Sequence, residues 1–260
     1  MISASIGNFY NSYSFEQRVK KIHELGFTSV EMTMFEIERE GMQKVLDAIK
    51  KFGFKITDVH LTLTDFFDTN PELCKRKLLE AVDAAEKFNT NVVTFHSGKF
   101  ENDMEVGRKN FLSVLKEVIE YADKKGIKLA IENLLRFKDL NYLIAYEKDL
   151  DWVFSKLPIG LLYDVNHGTL GNEPIYKIIE KNMDRLFGLH LGDAEFKKDF
   201  KKARDVLPYE HLAMGKGQVD FKRICDIVKN KNKVLIIEII TRADFRDLAE
   251  FKQKLESYLK

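Results

Sequence analysis

The chain has 260 residues, of which 45% are hydrophobic, 32% charged and 12% aromatic, ample for a large buried core. Its 42 basic and 41 acidic residues leave a formal charge of +1, so no global field draws it to a polyanion or an anionic membrane. Two distant cysteines, Cys74 and Cys225, exclude a disulfide framework and read as reduced core thiols of a cytoplasmic protein.

The amino-terminal run Met1-Ile2-Ser3-Ala4-Ser5-Ile6-Gly7 enters a strand pattern directly, without the basic and apolar regions of a signal peptide. No stretch has the length of a membrane span. In chain order, short apolar runs read as strands at residues 2–6, 29–32, 55–61, 91–95, 128–131, 159–163, 186–189 and 234–237. They are rich in Val, Ile and Leu, as parallel strands covered by helices are. The stretches between them have helical period and roughly 12–18 residues, which suits right-handed crossovers between parallel strands. In the first, Ser14 and Gln17 have capping-box spacing, Phe15, Val19 and Ile22 make one apolar face, and Gly26 stops the helix. Residues 1–260 are therefore expected to form one α/β domain, a single (β/α)8 TIM barrel. The longest irregular stretch, residues 192–217, exceeds an ordinary connection and is expected to be functional.

In such a barrel the chemistry collects where strands end and loops begin. The third strand ends at His60, the fourth at His96 and the fifth at Glu132. The sixth ends at Asp164, with His167 three residues on; the seventh at His190, followed by Asp193; the eighth at Glu238. His211 lies in the loop after the seventh strand, ahead of Gly215-Lys216-Gly217. Taken singly, a histidine at a strand end is more often a hydrogen-bonded core residue, and a buried glutamate an ion-pair partner. In register at one rim, imidazoles and carboxylates make the donor set of a divalent cation such as zinc, manganese, cobalt or iron. Asp193 is expected to orient His190 through its second ring nitrogen. Lys99, Arg136 and Lys216 are candidates for holding an anionic substrate group. Gly215-Lys216-Gly217 lacks the spacing of a phosphate loop and reads as a turn ahead of Asp220-Phe221.

These motifs, in this order, resemble the xylose isomerase-like TIM barrel superfamily, which holds sugar isomerases and epimerases as well as endonuclease IV (AP endonuclease family 2). The resemblance spans essentially the whole chain. It rests on His60, Phe95-His96-Ser97-Gly98, Ile131-Glu132-Asn133, Asp164-Val165-Asn166-His167, Leu189-His190-Leu191-Gly192-Asp193, His211 through Gly217 with Asp220-Phe221, and Glu238. It implies one metal held by Glu132, Asp164, His190 and Glu238, with the two glutamates as acid and base on opposite faces of a sugar that His167 contacts. The endonuclease branch implies a second site from His60, His96 and Glu132, and a third from His167, His211 and an aspartate two residues before His211. That position is Tyr209 here, so a third site lacks a ligand unless Asp205 or Glu210 supplies it. Phe196 stands where many ketose epimerases carry an arginine, six residues after His190.

Two functions follow. One is an isomerase or epimerase of a small sugar or sugar phosphate, moving a proton between Glu132 and Glu238, with zinc, manganese or cobalt as cofactor and Lys99 or Arg136 as phosphate clamp. The alternative is a phosphodiester hydrolase with two or three metals, acting on nucleic acid. Near-zero net charge and a short acidic segment after the second strand (residues 35–40) favour the first, while His60 and His96 favour the second.

Overall fold

The computed structural model describes residues 1–9, 11–239 and 243–260. The first crossover sets the pattern: β1 (Ile2–Ser5), α1 (Phe15–Glu24) and β2 (Ser29–Thr33). The Ser14 hydroxyl accepts the Gln17 N–H, and the Gln17 side chain accepts the Ser14 N–H, closing the expected capping box. Phe15, Val19 and Ile22 are buried, and Gly26 takes a φ of 72° where the chain turns into β2.

The segment after β2, expected as a loop, is instead the short helix α2 (Met34–Glu40). Thr33 caps it by accepting the Glu36 N–H at 3.3 Å. Glu36 is fully buried because Arg18, also fully buried, pairs with it at 2.8 Å while donating to the carbonyls of Ile6 and Tyr13. Acidic composition alone cannot distinguish an exposed loop from a helix whose carboxylate meets a buried guanidinium. The chain continues through α3 (Met42–Phe52), β3 (Lys55–Leu61), α4 (Pro71–Lys87), β4 (Val92–Phe95), α5 (Met104–Lys124) and β5 (Lys128–Glu132).

A small antiparallel hairpin, β6 (Arg136–Phe137) with β7 (Leu140–Asn141), decorates the rim after β5. Then come α6 (Glu147–Phe154), β8 (Gly160–Asp164), α7 (Val165–Leu170), α8 (Ile175–Lys181) and β9 (Leu186–Leu191). The long irregular stretch holds only the one-turn α9 (Ala203–Val206); α10 (Phe221–Val228), β10 (Val234–Ile237) and α11 (Phe245–Leu259) complete the chain. Asp220 caps α10 by accepting the Arg223 N–H at 3.0 Å.

The strands close into one parallel barrel in the order β1-β10-β9-β8-β5-β4-β3-β2, a single (β/α)8 TIM barrel. Leu162, Val234 and Ile236 form a small apolar cluster with Phe187. By the alternation of side chains along a strand, Leu162 shares its face with Asp164, and Val234 and Ile236 theirs with Glu238. The lumen therefore has an apolar floor under its β8–β10 half. Its β2–β4 half buries Glu31, Asp58 and Thr94. Cys74 and Cys225 are free and buried, and burial pushes the Cys74 thiol up to about 12 and that of Cys225 to about 11. Among the described residues, no helix is long and apolar enough to cross a membrane.

Candidate metal centre

Glu132 and Asp164 are the last residues of β5 and β8, His190 lies near the end of β9, and Glu238 directly follows β10. The pairing Asp164↔His190 puts two of these side by side. The four converge on one atom: His190 Nδ1 lies 3.1 Å from Glu238 Oε2, 3.3 Å from Glu132 Oε1 and 3.9 Å from Asp164 Oδ2.

A second group shares Glu132. Its other oxygen, Oε2, lies 3.0 Å from His96 Nε2 and 3.6 Å from His60 Nε2. A third gathers Asp164, His167 and His211, whose imidazole rings meet edge to face at 5.5 Å. His167 Nδ1 is 3.0 Å from the Asn133 carbonyl oxygen, 3.4 Å from Glu132 Oε1 and 3.5 Å from Asp164 Oδ2. His211 sits with φ at 46°, its Nδ1 3.7 Å from Glu238 Oε2.

Burial alone would push these carboxyls up, but the charges of neighbouring imidazoles outweigh it at two of them. Glu132, beside His96 and His190, stays well below the usual carboxylate range, and Glu238, beside His190 and His211, does too. At Asp164 burial prevails and the carboxyl rises. Burial would lower the His167 imidazole, yet Asp164 and Glu132 raise it to about 10. At His60 burial prevails and the imidazole is lowered.

The donor atoms fit a divalent ion. Glu132 Oε2 and Asp164 Oδ2 are buried oxygens that make no well-aligned hydrogen bond and face imidazole nitrogens at 3.0 and 3.5 Å, a costly state for an isolated carboxylate. Sets of oxygen and imidazole donors lie close enough to share an ion at Glu132–Asp164–His190, at His60–His96–Glu132, at Asp164–His167–His211 and at Glu31–His60–His190. Over them opens a cavity of about 320 Å³ lined by Glu132, Glu238, His60, His96, His167 and His211, with Phe35 to one side. No lysine or arginine among the described residues lines it.

Other expected residues lie elsewhere. Asp193 does not reach His190: its carboxylate accepts backbone N–H groups from Ala194, Gly215, Gly217 and Val219, tying down the long loop after β9. Arg136 spends its donors on the carbonyls of Tyr142 and Leu143 and on Asp149, because it organises the β6–β7 hairpin. Lys99 sits over the Tyr142 ring at 5.2 Å, and Lys216 is exposed. Tyr209 packs with Phe200 in an apolar satellite cluster, and Asp205 accepts the Lys201 and Lys202 N–H groups ahead of α9, so neither joins His211.

Two buried acids escaped the sequence reading. Glu31, in mid-strand β2, accepts from His190 Nε2 at 2.6 Å, the place expected of Asp193. Asp58, two residues before His60, accepts from Thr57 and Thr94 hydroxyls at 2.6 Å each. The signal was available for Asp58, which shares the lumen parity of His60. Asn8 was missed too. It bridges the strand ends around Glu238, donating to the Ile237 carbonyl and accepting the Ile239 N–H, both at 2.9 Å.

The profile of the xylose isomerase-like TIM barrel family matches residues 19–259. Among solved structures, D-psicose 3-epimerase from Clostridium cellulolyticum H10 superposes with a TM-score of 0.78 at 13% identity, covering 100% of this chain and 99% of that one. AP endonuclease, family 2, from Brucella melitensis gives 0.78 at 14% identity, covering 97% and 98%. A zinc-bound IolI protein gives 0.75 at 12% identity, covering 99% and 97%. At these identities the likeness is one of fold. The profile match extends over nearly the whole chain, and the chain belongs to the xylose isomerase-like TIM barrel family.

Proposed function

We propose that this protein is a divalent-metal-dependent isomerase or epimerase of a small sugar, with Glu132 and Glu238 as the groups that remove and return the proton. One observation carries the reading: two glutamates from strands separated by β8 and β9 line the same cavity and meet at one imidazole nitrogen. Glu132, Asp164, His190 and Glu238 would hold the metal, zinc, manganese or cobalt. When bound, the metal polarises a carbonyl and stabilises the negative charge that develops on neighbouring oxygens.

The protein's own groups supply the rest. Glu132 and Glu238, kept anionic by the imidazoles around them, are each able to accept a proton from carbon and return it. His167, anchored by the Asn133 carbonyl, presents its ring to the cavity as a hydrogen-bonding group for a sugar hydroxyl. A sugar epimerase and a zinc-bound protein among the fold neighbours support the reading by analogy. The test is incubation of zinc-, manganese- and cobalt-loaded protein with ketopentoses and ketohexoses in D2O. Deuterium should enter at the carbon next to the carbonyl, and a panel without exchange would refute the proposal.

A second reading rests on the division of Glu132: one oxygen faces His190 and the other faces His60 and His96. A carboxylate placed between two donor groups suits a two-metal phosphodiester hydrolase. The same cavity offers little to a phosphate backbone, and Tyr209 withholds the remaining ligand, so this reading stands second.

A further inference from the structure

We infer that Glu31 is a positioning residue that holds the His190 ring with Nδ1 turned to the carboxylates, an inference resting on the metal cage proposed above. His190 has two faces. Nδ1 meets Glu132, Asp164 and Glu238, while among the described residues Nε2 meets Glu31, at 2.6 Å. A neutral imidazole carries one proton, and the nitrogen without it is the one that binds a cation. A carboxylate pressed against Nε2 requires the proton there, which leaves the Nδ1 lone pair for the cage.

The backbone is built to deliver Glu31 to that place. β2 pairs regularly with β1, where Ser5 stands opposite Glu31 and the Ile6 N–H reaches the Glu31 carbonyl at 3.1 Å. Against β3 the register slips: Val30 faces Ile56 but Met32 faces Val59, so Thr57 and Asp58 together stand opposite Glu31. A bulge of this kind re-aims side chains beside active sites. Here it sets a second acid, Asp58, beside the lumen without displacing Glu31. Asp58 is occupied by the Thr57 and Thr94 hydroxyls, and Thr94 Oγ1 also lies 3.1 Å from His60 Nδ1. Glu31 is left to His190, with His60 Nδ1 at 3.8 Å as a remoter neighbour.

Burial leaves half of the Glu31 carboxylate unsatisfied. It is fully buried, and its Oε1 has no hydrogen-bond partner. The carboxylate makes sense as the outer partner of a ligating imidazole, where it fixes the ring's orientation and raises the basicity of Nδ1.

Zinc binding to the full chain separates the possibilities. In the zinc-loaded wild type, the His190 Nε2 proton should give a slowly exchanging, downfield proton resonance, with a ¹⁵N shift for Nδ1 typical of a metal-bound nitrogen. Glu31→Gln and Glu31→Leu should each bind zinc about 10- to 100-fold more weakly, the usual consequence of losing an outer partner, with unchanged circular dichroism. Glu31→Asp, which keeps the charge, should recover part of the affinity. Wild-type affinity in both Gln and Leu variants would overturn the assignment, as would a zinc-loaded wild type whose His190 binds through Nε2. A wild type that takes up no zinc, manganese or cobalt would overturn the metal cage itself, and Glu31's role with it. The resonance is read in wild-type protein, so the assignment stays testable even if a variant fails to fold.

Discussion

Asn133 grips Asp164 by both of its backbone groups: its amide nitrogen donates to the Asp164 carbonyl at 2.9 Å, and its amide oxygen accepts the Asp164 N–H at 2.6 Å. Asn8 makes the same two-handed bridge around Glu238. Each extends the strand ladder past its end, where backbone groups would otherwise be buried without partners. Only an amide of this length has the donor and acceptor together. Asn133→Asp and Asn8→Asp remove the donor, and each should destabilise the fold by about 1–3 kcal/mol. Urea denaturation followed by zinc titration of the two variants checks this; midpoints and zinc affinities equal to wild type would show the bridges to be idle.

Glu132 belongs to all the proposed chemistry. Glu132→Gln keeps its volume and removes its charge from between His96 and His190. Carbon-bound deuterium exchange should fall by at least about 100-fold, the scale of a lost acid–base group, while circular dichroism stays that of a folded barrel. Wild-type exchange by this variant would refute the catalytic assignment.

Metal stoichiometry separates the two functional readings. Protein purified without chelator should carry one ion per chain, and His96→Ala should keep it, because His96 faces Glu132 Oε2 while the other oxygen, Oε1, faces His190. Elemental analysis decides the matter. Two ions, one of them lost in His96→Ala, would favour the hydrolase.

Asp193 should matter for the loop and not for the imidazole. Its carboxylate gathers four backbone N–H groups, and a Cβ on Gly217 would collide with Asp193 Oδ1 and the Ala194 carbonyl. Asp193→Ala should release residues 194–219 and His211 with them. Limited proteolysis should cut this segment many times faster than in wild type, with little change in zinc affinity at His190. Unchanged cleavage would contradict the role.

Asp68 offers a pH signature away from the centre. Partial burial would raise its pKa, but N–H groups of Asp103, Asn102 and Glu101 outweigh this and hold it below the usual aspartate value. A carboxylate depressed on folding stabilises above the unfolded pKa of about 3.9 and loses that contribution as pH falls through the folded value. The gap in stability between wild type and Asp68→Asn should therefore be full at neutral pH and close below pH of about 4. Denaturation at stepped pH measures it; a gap that widens in acid would reverse the assignment.

The sequence by itself determined the barrel and the rim. Buried parallel strands must be apolar along their length, so the polar residues at their ends, His60, Glu132, Asp164 and Glu238, stand out against Val, Ile and Leu. The Ser14–Gln17 cap is legible for a similar reason, since its hydrogen bonds close within a single turn. What each side chain meets across the lumen is set by strands distant in sequence. Glu31 reads as an ordinary mid-strand acid until β9 closes the barrel and brings His190 to it, and a bulge invisible in composition decides what stands beside it. Asp193 follows His190 by three residues yet turns to its own loop, because four N–H groups placed by the fold of residues 194–219 outcompete one imidazole nitrogen already held. Arg136 likewise needed the β6–β7 hairpin to be seen as a scaffold residue. Spacing along the chain names the donors; closure of the barrel chooses their partners.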